Sequence, residues 1–407
     1  MTVITSAVGG LLLSLEILKK KLHFSPQMLH YLYYVCLEAV MKHLNLGFVG
    51  FGLIGGSIAR ALRKDGADIS VYVYSRRHNP ELEQGVKEGV IDEIWYKIDE
   101  RFACCDIVFL CAPVLKNIEY LPVMKKWIKP DCLLTDVGSV KGNICQAALK
   151  EGLGSQFIGG HPMAGSEKTG YANSTDTLLE NAYYLLTPTK ENRPEDITLM
   201  QEIVGKTRAN CVVLDYHHHD QITAAISHVP HILAVSLVNM VRKNDNEAED
   251  MKSFAAGGFK DITRIASSSP AMWQDICIAN GESIDHFLQY YIESLEEFRR
   301  LIAQGDMKQI YREFEEAGNY RNSMSVKKKG SISSSYELFV NIDDEPGAIA
   351  VISSLLFGKK ISIKNIGIIH NREYADGVLR IEFYSEAARL SAKDTLEKYG
   401  LDLPARD

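Results

Sequence analysis

The stretch Gly50-Phe51-Gly52-Leu53-Ile54-Gly55 decides the fold of the N-terminal half of this chain. It directly follows the apolar run 46–49 and opens the helix-compatible segment 54–64. In that context Gly50 permits a tight turn, Gly52 lets the main chain approach a pyrophosphate, and Gly55 allows close packing of helix on strand. The pattern therefore predicts a dinucleotide site at the helix N-terminus, with Leu53 and Ile54 in its first turn, rather than a plain strand-to-helix turn.

Short apolar runs alternate with amphipathic segments on both sides of this stretch, up to residue 214. The runs are 46–49, 69–74, 107–111, 133–137, 183–186 and 212–214. Short buried strands separated by helices are typical of a mainly parallel sheet that is covered on both faces. We therefore predict an α/β, Rossmann-type doubly wound parallel sheet over residues 44–214.

The end of the second predicted strand bears on the choice of cofactor. NAD-binding sites of this type usually carry an Asp or Glu there, which accepts hydrogen bonds from the adenosine ribose. This chain has Tyr74-Ser75-Arg76-Arg77 instead. Without a carboxylate a 2′-phosphate is not repelled, and Ser75 and Arg76 can bind one through charge-assisted hydrogen bonds. The sequence favours NADP; the other interpretation is NAD with two hydrated surface arginines.

The composition limits the class of protein. A chain of 407 residues with 46% hydrophobic and 24% charged residues suits two or three globular domains. A formal net charge of -7 gives no basic surface for nucleic acid or an anionic membrane. The eight cysteines lack C-x-x-C spacing and the density of a secreted scaffold. We expect a soluble cytoplasmic protein with free thiols.

The rest of the chain divides into four further regions. Residues 1–43 form an N-terminal extension, whose apolar stretch lacks the basic start and cleavage site of an export signal. Residues 215–326 carry helical segments at 222–241, 271–288 and 292–303, and the Lys/Ser/Gly-rich residues 327–335 form a linker. We predict a small α+β unit over residues 336–407, with strands at 336–341, 361–370 and 379–384 and helices at 347–356 and 387–398.

Two polar residues follow predicted strands, where ligands bind in such sheets. Ser139, after the strand at 133–137, either caps the next helix or faces a substrate. His161 lies in the glycine-rich segment Gly159-Gly160-His161-Pro162-Met163-Ala164-Gly165-Ser166-Glu167, just beyond another short strand. A histidine in such a loop lacks the apolar surroundings of a core residue, so we predict a functional role for it.

The helical region adds further candidates. His228 and His231 share one helix face, but no ligand set completes a metal site, and we predict none. The run 217–219 is interpreted as a hydrated helix face. Arg264, after the pair Gly257-Gly258, suits bidentate binding of a carboxylate, with a structural pair to Asp261 as the alternative.

Five ordered motifs over residues 44–300 resemble the prephenate/arogenate dehydrogenase (TyrA-type) family. They are G-F-G-L-I-G-G-S, D-V-G-S-V-K, G-G-H-P-M-A-G-S-E, S-H-V-P-H and F-K-D-I-T-R-I-A with P-A-M-W. The resemblance implies that His161 is the catalytic histidine and that Ser139 assists near the reacting hydroxyl. It further implies that His231 and Arg264, with Ser166 and Trp273 of the same motifs, bind substrate, and that the helical domain forms a homodimer.

The resemblance also implies a reaction and a regulator. Prephenate would be oxidised and decarboxylated to 4-hydroxyphenylpyruvate, with hydride transfer to NAD(P). The D-E-P-G-A-I-A segment at 344–350 resembles an ACT domain, a ferredoxin-like amino-acid-binding module, with tyrosine as the expected feedback ligand. The alternatives are an arogenate dehydrogenase, a 3-hydroxyacid-type dehydrogenase, which would need a catalytic lysine motif that we do not find, and a catalytically silent amino-acid-sensing NAD(P)-binding regulator.

Overall fold

The computed structural model of the chain describes residues 43–165, 168–324, 336–342, 345–369 and 377–403. The extension up to residue 42, Ser166 and the predicted linker lie outside the described residues. The chain forms two compact units, one ending at Arg299 and the other beginning at Arg300. The domain limits drawn from the sequence stay predictions.

Eight strands form one sheet in the first unit. They are β1 (Leu44–Val49), β2 (Ile69–Tyr74), β3 (Glu93–Trp95), β4 (Ile107–Leu110), β5 (Leu133–Asp136), β6 (Phe157–Pro162), β7 (Tyr183–Pro188) and β8 (Asn210–Val213). The order is β3-β2-β1-β4-β5-β6-β7-β8, and only the β6–β7 pair is antiparallel. The predicted mainly parallel sheet is confirmed. The three-residue strand β3 was not predicted, because it is too short to give a periodic signal.

Helices cover both faces of this sheet. They are α1 (Leu53–Lys64), α2 (Pro80–Lys87), α3 (Val114–Trp127), α4 (Gly142–Lys150) and α5 (Pro194–Lys206). Side chains alternate along each strand, so Phe48 and Phe109 enter the apolar cluster on one face, while Val49 and Leu110 enter the cluster on the other. Burial on both faces is the physical reason why the strands are continuous apolar runs.

A helical region follows the sheet along the chain. Its helices are α6 (Tyr216–Thr223), α7 (Val229–Asn244), α8 (Asp250–Ser253), α9 (Gly257–Thr263), α10 (Pro270–Ala279) and α11 (Gly281–Gln304). The predicted all-helical character is confirmed, but the predicted helix boundaries at 288 and 292 are wrong. The break falls at Asn280, which leaves the helical conformation with φ -112° and ψ 29°. The residues between 288 and 292 contain no helix breaker, so α11 runs through them.

The second unit contains α12 (Met307–Ser323), β9 (Tyr336–Ile342), α13 (Ala348–Gly358), β10 (Ile363–Ile369), β11 (Gly377–Phe383) and α14 (Glu386–Lys398). Its strands form an antiparallel sheet in the order β10-β11-β9. Both helices that flank β10 and β11 bury apolar residues against it, among them Leu356 and Leu396. The predicted small α+β unit is confirmed, and its assignment as an ACT domain stays a prediction.

Candidate active site

The glycine loop after β1 has the geometry of a phosphate-binding turn. Gly50 has φ +85°, and a Cβ there would lie 3.1 Å from main-chain atoms of Cys111, just after β4. A Cβ on Gly55 would lie 3.2 Å from Sγ of Cys111, whereas one on Gly52 would meet nothing within 4 Å. The main-chain geometry therefore requires glycine at position 50, and the close contact with Cys111 favours it at position 55. Gly52 faces open space, as expected where a ligand approaches the main chain.

Helix α1 begins at this loop with Gly52 as its N-cap. No side chain within the described part of the chain caps its first turn, which contains Leu53 and Ile54. The first N–H groups of a helix have no partner within it, and with the helix dipole they favour an anion. The loop also lies between β1 and β4, where the strand order reverses and ligands bind in open α/β sheets. These residues fit a dinucleotide.

Ser75 and Arg76 follow β2, whose end lies beside the end of β1. The Ser75 hydroxyl donates a 2.6 Å hydrogen bond to the main-chain oxygen of Arg77, so its hydrogen is already used. Arg76 is exposed. Of the two residues, Arg76 is therefore the one that offers charged donors to a 2′-phosphate.

His161 lies within β6, one residue before its end, and not beyond the strand as predicted. A Cβ on Gly160 would lie 2.5 Å from the main-chain oxygen of Asp136, and one on Gly159 would lie 2.3 Å from Oγ1 of Thr187. Only glycine lets β6 pass this close to its neighbours β5 and β7. The glycine pair thus extends β6 by the residues that bring His161 to the carboxyl edge of the sheet.

A chain of hydrogen bonds joins His161 to a carboxylate. Its Nδ1 lies 2.8 Å from Nε2 of His219, and Nδ1 of His219 lies 2.8 Å from Oδ1 of Asp220. A carboxylate only accepts, so Nδ1 of His219 donates to it and Nε2 of a neutral His219 keeps its lone pair. That lone pair accepts the Nδ1–H of His161, which leaves Nε2 of His161 without a hydrogen. The network holds His161 in the tautomer that can act as a general base.

Asp220 also binds the N-terminus of α4. Its Oδ1 accepts the main-chain N–H of Lys141 at 2.8 Å, and its Oδ2 accepts that of Gly142 at 2.7 Å. The alternative interpretation of Ser139 as the helix cap is wrong, because it lies three residues before the helix begins and makes no cap bond. Ser139 is partly exposed in the loop between β5 and α4, where its hydroxyl can reach a ligand.

A buried ion pair joins the loop after β5 to strand β6. Nζ of Lys141 pairs with Oδ2 of Asp136 and donates to the main-chain oxygen of Gly160 at 2.8 Å. Asp136 accepts the main-chain N–H of Gly160 at 3.2 Å through its other oxygen. Both charged side chains are almost fully buried, so loss of either would leave an uncompensated charge in the protein. The pair therefore holds Ser139 and His161 on neighbouring segments.

The environment keeps the histidines of the site neutral. Burial, followed by the nearby His219 and Lys141, lowers the pKa of His161 well below its ordinary value, although the residue as a whole is partly exposed. Burial also lowers the pKa of His219, against the opposing effect of its bond to Asp220. Burial lowers the pKa of His228 to about 4. A neutral imidazole at His161 is able to accept a proton near pH 7.

Two histidines of the helical region, one of them the predicted substrate residue His231, meet at the ring of Trp273. The His231 ring stacks on it with centroids 3.9 Å apart, and His228 meets it edge-on at 5.9 Å. Burial lowers the pKa of His231, and the charge of the exposed Arg264 lowers it further, so the guanidinium lies near this imidazole. Nε1–H of Trp273 is buried and has no partner among the described residues. An unmatched donor near a guanidinium suits an oxygen-rich anion.

The interpretation of residues 217–219 as a hydrated helix face is wrong for His219. His217 and His218 are exposed, whereas His219 is fully buried with Asp220 and Thr223. The spacing of these three residues along one helix face was the sequence signal that could have identified them. Asp220, Lys141 and Asn280 were also missed. No metal-binding group of three or more His, Cys, Asp or Glu occurs among the residues described.

Comparison with known proteins shows related sequences. Residues 58–213 match the family model "Prephenate dehydrogenase, nucleotide-binding domain", and residues 215–316 match "Prephenate dehydrogenase, dimerization domain". A Bacillus subtilis (strain 168) protein named prephenate dehydrogenase is 38% identical over 358 residues, which cover 86% of this chain and 94% of that protein.

Solved structures agree with this relationship. Prephenate dehydrogenase from A. aeolicus, in complex with hydroxyphenyl propionate and NAD+, is 32% identical with a TM-score of 0.66, over 70% of this chain and all of that chain. Synechocystis arogenate dehydrogenase is 28% identical with a TM-score of 0.62, over 69% of this chain and all of that chain. Since two successive family models and a relative of 38% identity cover most of its length, the chain belongs to the prephenate dehydrogenase family.

Proposed function

We propose that this enzyme is an NAD(P)-dependent prephenate dehydrogenase that forms 4-hydroxyphenylpyruvate in tyrosine biosynthesis. The observation that carries the proposal is the hydrogen-bonded chain from His161 through His219 to Asp220. This chain leaves the Nε2 lone pair of a neutral His161 on the side of the ring away from Asp220. His161 lies at the same edge of the sheet as the glycine loop. An alcohol oxidation needs a proton acceptor at this place.

One histidine is enough for the proton transfers of the proposed reaction. Nε2 of His161 accepts the proton of the ring hydroxyl while a hydride leaves the ring carbon that bears this hydroxyl. A bound NAD(P)+ supplies the acceptor for that hydride. The bond between the ring and its carboxylate then breaks, and carbon dioxide leaves. The electron pair of that bond stays with the ring, which becomes an aromatic phenolate. His161 returns its proton to the phenolate oxygen and ends neutral, while the link through His219 to Asp220 stabilises the transient imidazolium.

The other predicted residues are proposed to bind the substrate. Ser139 would hydrogen-bond the reacting hydroxyl, and Ser166 would contact the substrate, as the family resemblance implies. Arg264 and Trp273 would donate to a carboxylate and the keto oxygen. His231 would contact the substrate through Nε2, because its Nδ1–H donates to the main-chain oxygen of Ser227 at 2.8 Å. The choice of prephenate over arogenate is supported by the relatives named prephenate dehydrogenase and not by these donors, because Nε2 of His231 would also accept the ammonium group of arogenate.

Initial rates with prephenate and arogenate, each with NAD and NADP, test this proposal. We expect prephenate to give the higher kcat/KM. A higher value for arogenate would contradict the choice of substrate. No turnover of either substrate would favour the silent regulator, with His161→Asn as the control for background reduction.

The choice of cofactor is proposed to be NADP. The support is the exposed Arg76 beside a position that carries no carboxylate. Ser75 is expected to contribute less to binding of the 2′-phosphate than the sequence suggested, because its hydroxyl already donates to the main-chain oxygen of Arg77.

We further propose a cytoplasmic homodimer that forms through the helical region. The helix Tyr216–Asn244 is long and apolar enough to cross a membrane by length and composition, and 22% of its most apolar window is buried. Its buried face carries His219, Asp220 and His228 of the site, so its exposed apolar residues suit contact with a second copy. Light scattering of the purified protein should give twice the mass of the chain.

Tyrosine is proposed to inhibit through the C-terminal unit, which we assign as an ACT domain. Gly347 is the N-cap of helix α13; its φ of +102° suits glycine, and no side chain of the described residues caps the helix. Shortening the chain after Gly330 should preserve activity and sharply lower sensitivity to tyrosine. Unchanged inhibition would instead point to competition at the active site, since tyrosine resembles the product.

A further inference from the structure

A π-helical turn interrupts the helix that carries the site histidines. It spans Ala224–His228, between α6 and α7. In a regular α-helix the nine residues from His219 to His228 would rotate by about two and a half turns, which places the two side chains on opposite faces. A π turn takes up one extra residue, so the angle between them falls from about 180° to about 80°. The turn brings His228 round towards the face that carries His219.

Asn280, between α10 and α11, holds this turn from outside. Its Nδ2 lies 2.8 Å from the main-chain oxygen of Asp220 and 3.1 Å from Nδ1 of His228. A carbonyl oxygen only accepts, so the amide atom that faces Asp220 is the nitrogen. That nitrogen has two hydrogens and does not accept, and Nδ1 of His228 must therefore accept the second one. A neutral His228 then carries its hydrogen on Nε2.

The surroundings of His228 are consistent with a neutral ring. It is 1% exposed, and Asn280 is 4% exposed, so water does not compete for these bonds. The titratable groups near it are His161, His219, Asp220 and His231. A proton on Nδ1 would point at the amide hydrogens of Asn280, which disfavours the imidazolium.

We propose that Asn280 is a positioning residue for the reaction, which fixes the π turn and holds His228 as the neutral Nε2–H tautomer beside His161. Within the described part of the chain its side-chain hydrogen bonds go to His228 and the main chain of Asp220, and it acts through these two residues. A cation at His228 would oppose the charge that His161 must acquire. The kinetic consequence rests on the proposed function, whereas the tautomer does not.

A double-mutant cycle tests the kinetic part. Asn280→Ala should lower kcat between about tenfold and 100-fold through displacement of the site groups, with the KM for NAD(P) unchanged. His228→Phe should give a similar loss, and the double variant should lose little more, because both changes remove the same interaction. Additive losses would overturn the proposal. Thr207→Val is the matched control: it removes a buried 2.6 Å hydrogen bond to a main-chain oxygen in the Rossmann region and should lower Tm without affecting kcat.

Spectra of 15N-histidine-labelled enzyme test the tautomer directly. His228, assigned through its absence in His228→Phe, should show the Nε2–H pattern. In Asn280→Asp it should change to the Nδ1–H pattern, because a carboxylate only accepts. An Nδ1–H pattern in the unmodified enzyme would overturn the proposal. The spectra need no turnover, so failure of the proposed function and failure of this inference are distinguishable.

Discussion

Replacement of His219 tests the geometry of the proton acceptor most directly. His219→Leu removes both the acceptor for Nδ1–H of His161 and the donor to Asp220. His219→Gln is the matched variant, since its amide oxygen can replace Nε2 as the acceptor for His161. Neither variant alters a residue that we expect to touch the substrate.

The expected loss follows from what remains in the site. General acid–base catalysis contributes about 10² to 10⁴-fold, and because His161 itself is kept we expect the lower end for His219→Leu. A 10²-fold loss of kcat corresponds to about 2.7 kcal/mol in the barrier. The free energy of unfolding should fall by about 1–3 kcal/mol, because Asp220 keeps its bonds to Lys141 and Gly142.

Steady-state rates of reduced-cofactor formation with prephenate, together with thermal unfolding, measure both effects. The KM for NAD(P) should not change, and His219→Gln should recover most of the lost kcat. A folded His219→Leu enzyme whose kcat stays within about threefold of the unmodified value would refute the reasoning, and His219 would then be a packing residue only.

Four further outcomes are expected. Because the pKa of His161 is lowered below its ordinary 6.5, kcat/KM should fall only below pH 6.5. The unfolded chain binds more protons than the folded chain in that range, so Tm should also fall as the pH drops below 6.5. A fall of kcat/KM that begins above pH 6.5 would contradict this. His161→Asn should lower kcat by about 10² to 10⁴ with little change in the KM for prephenate, and unchanged kcat would remove His161 from the mechanism. Arg264→Ala should mainly raise the KM for prephenate, since a carboxylate ligand also binds the ground state, and an equal KM would leave Arg264 a structural role. Arg76→Ala should weaken NADP and spare NAD in binding titrations, and equal losses for both would defeat the NADP assignment.

The amino-acid sequence by itself determined the fold class, the family and the identity of His161 as a candidate. The glycines at 50, 52 and 55 act through local main-chain geometry, and the apolar strands act through burial on both faces, so both signals are readable within a few residues. The helical region and the small α+β unit were found in the same way. The predicted helix boundaries were wrong near Asn280, whose main chain leaves the helical conformation.

Only the tertiary structure decided how the site works. His161 and His219 are 58 residues apart, and Asp220 binds an N–H group 79 residues away, so no local pattern joins them. Burial of one histidine in a run of three, and the direction of each hydrogen bond, depend on which helix face packs against the sheet. These contacts are set by the packing of whole elements, and for that reason the tautomer and neutrality of His161 followed from the fold and not from the motif that contains it.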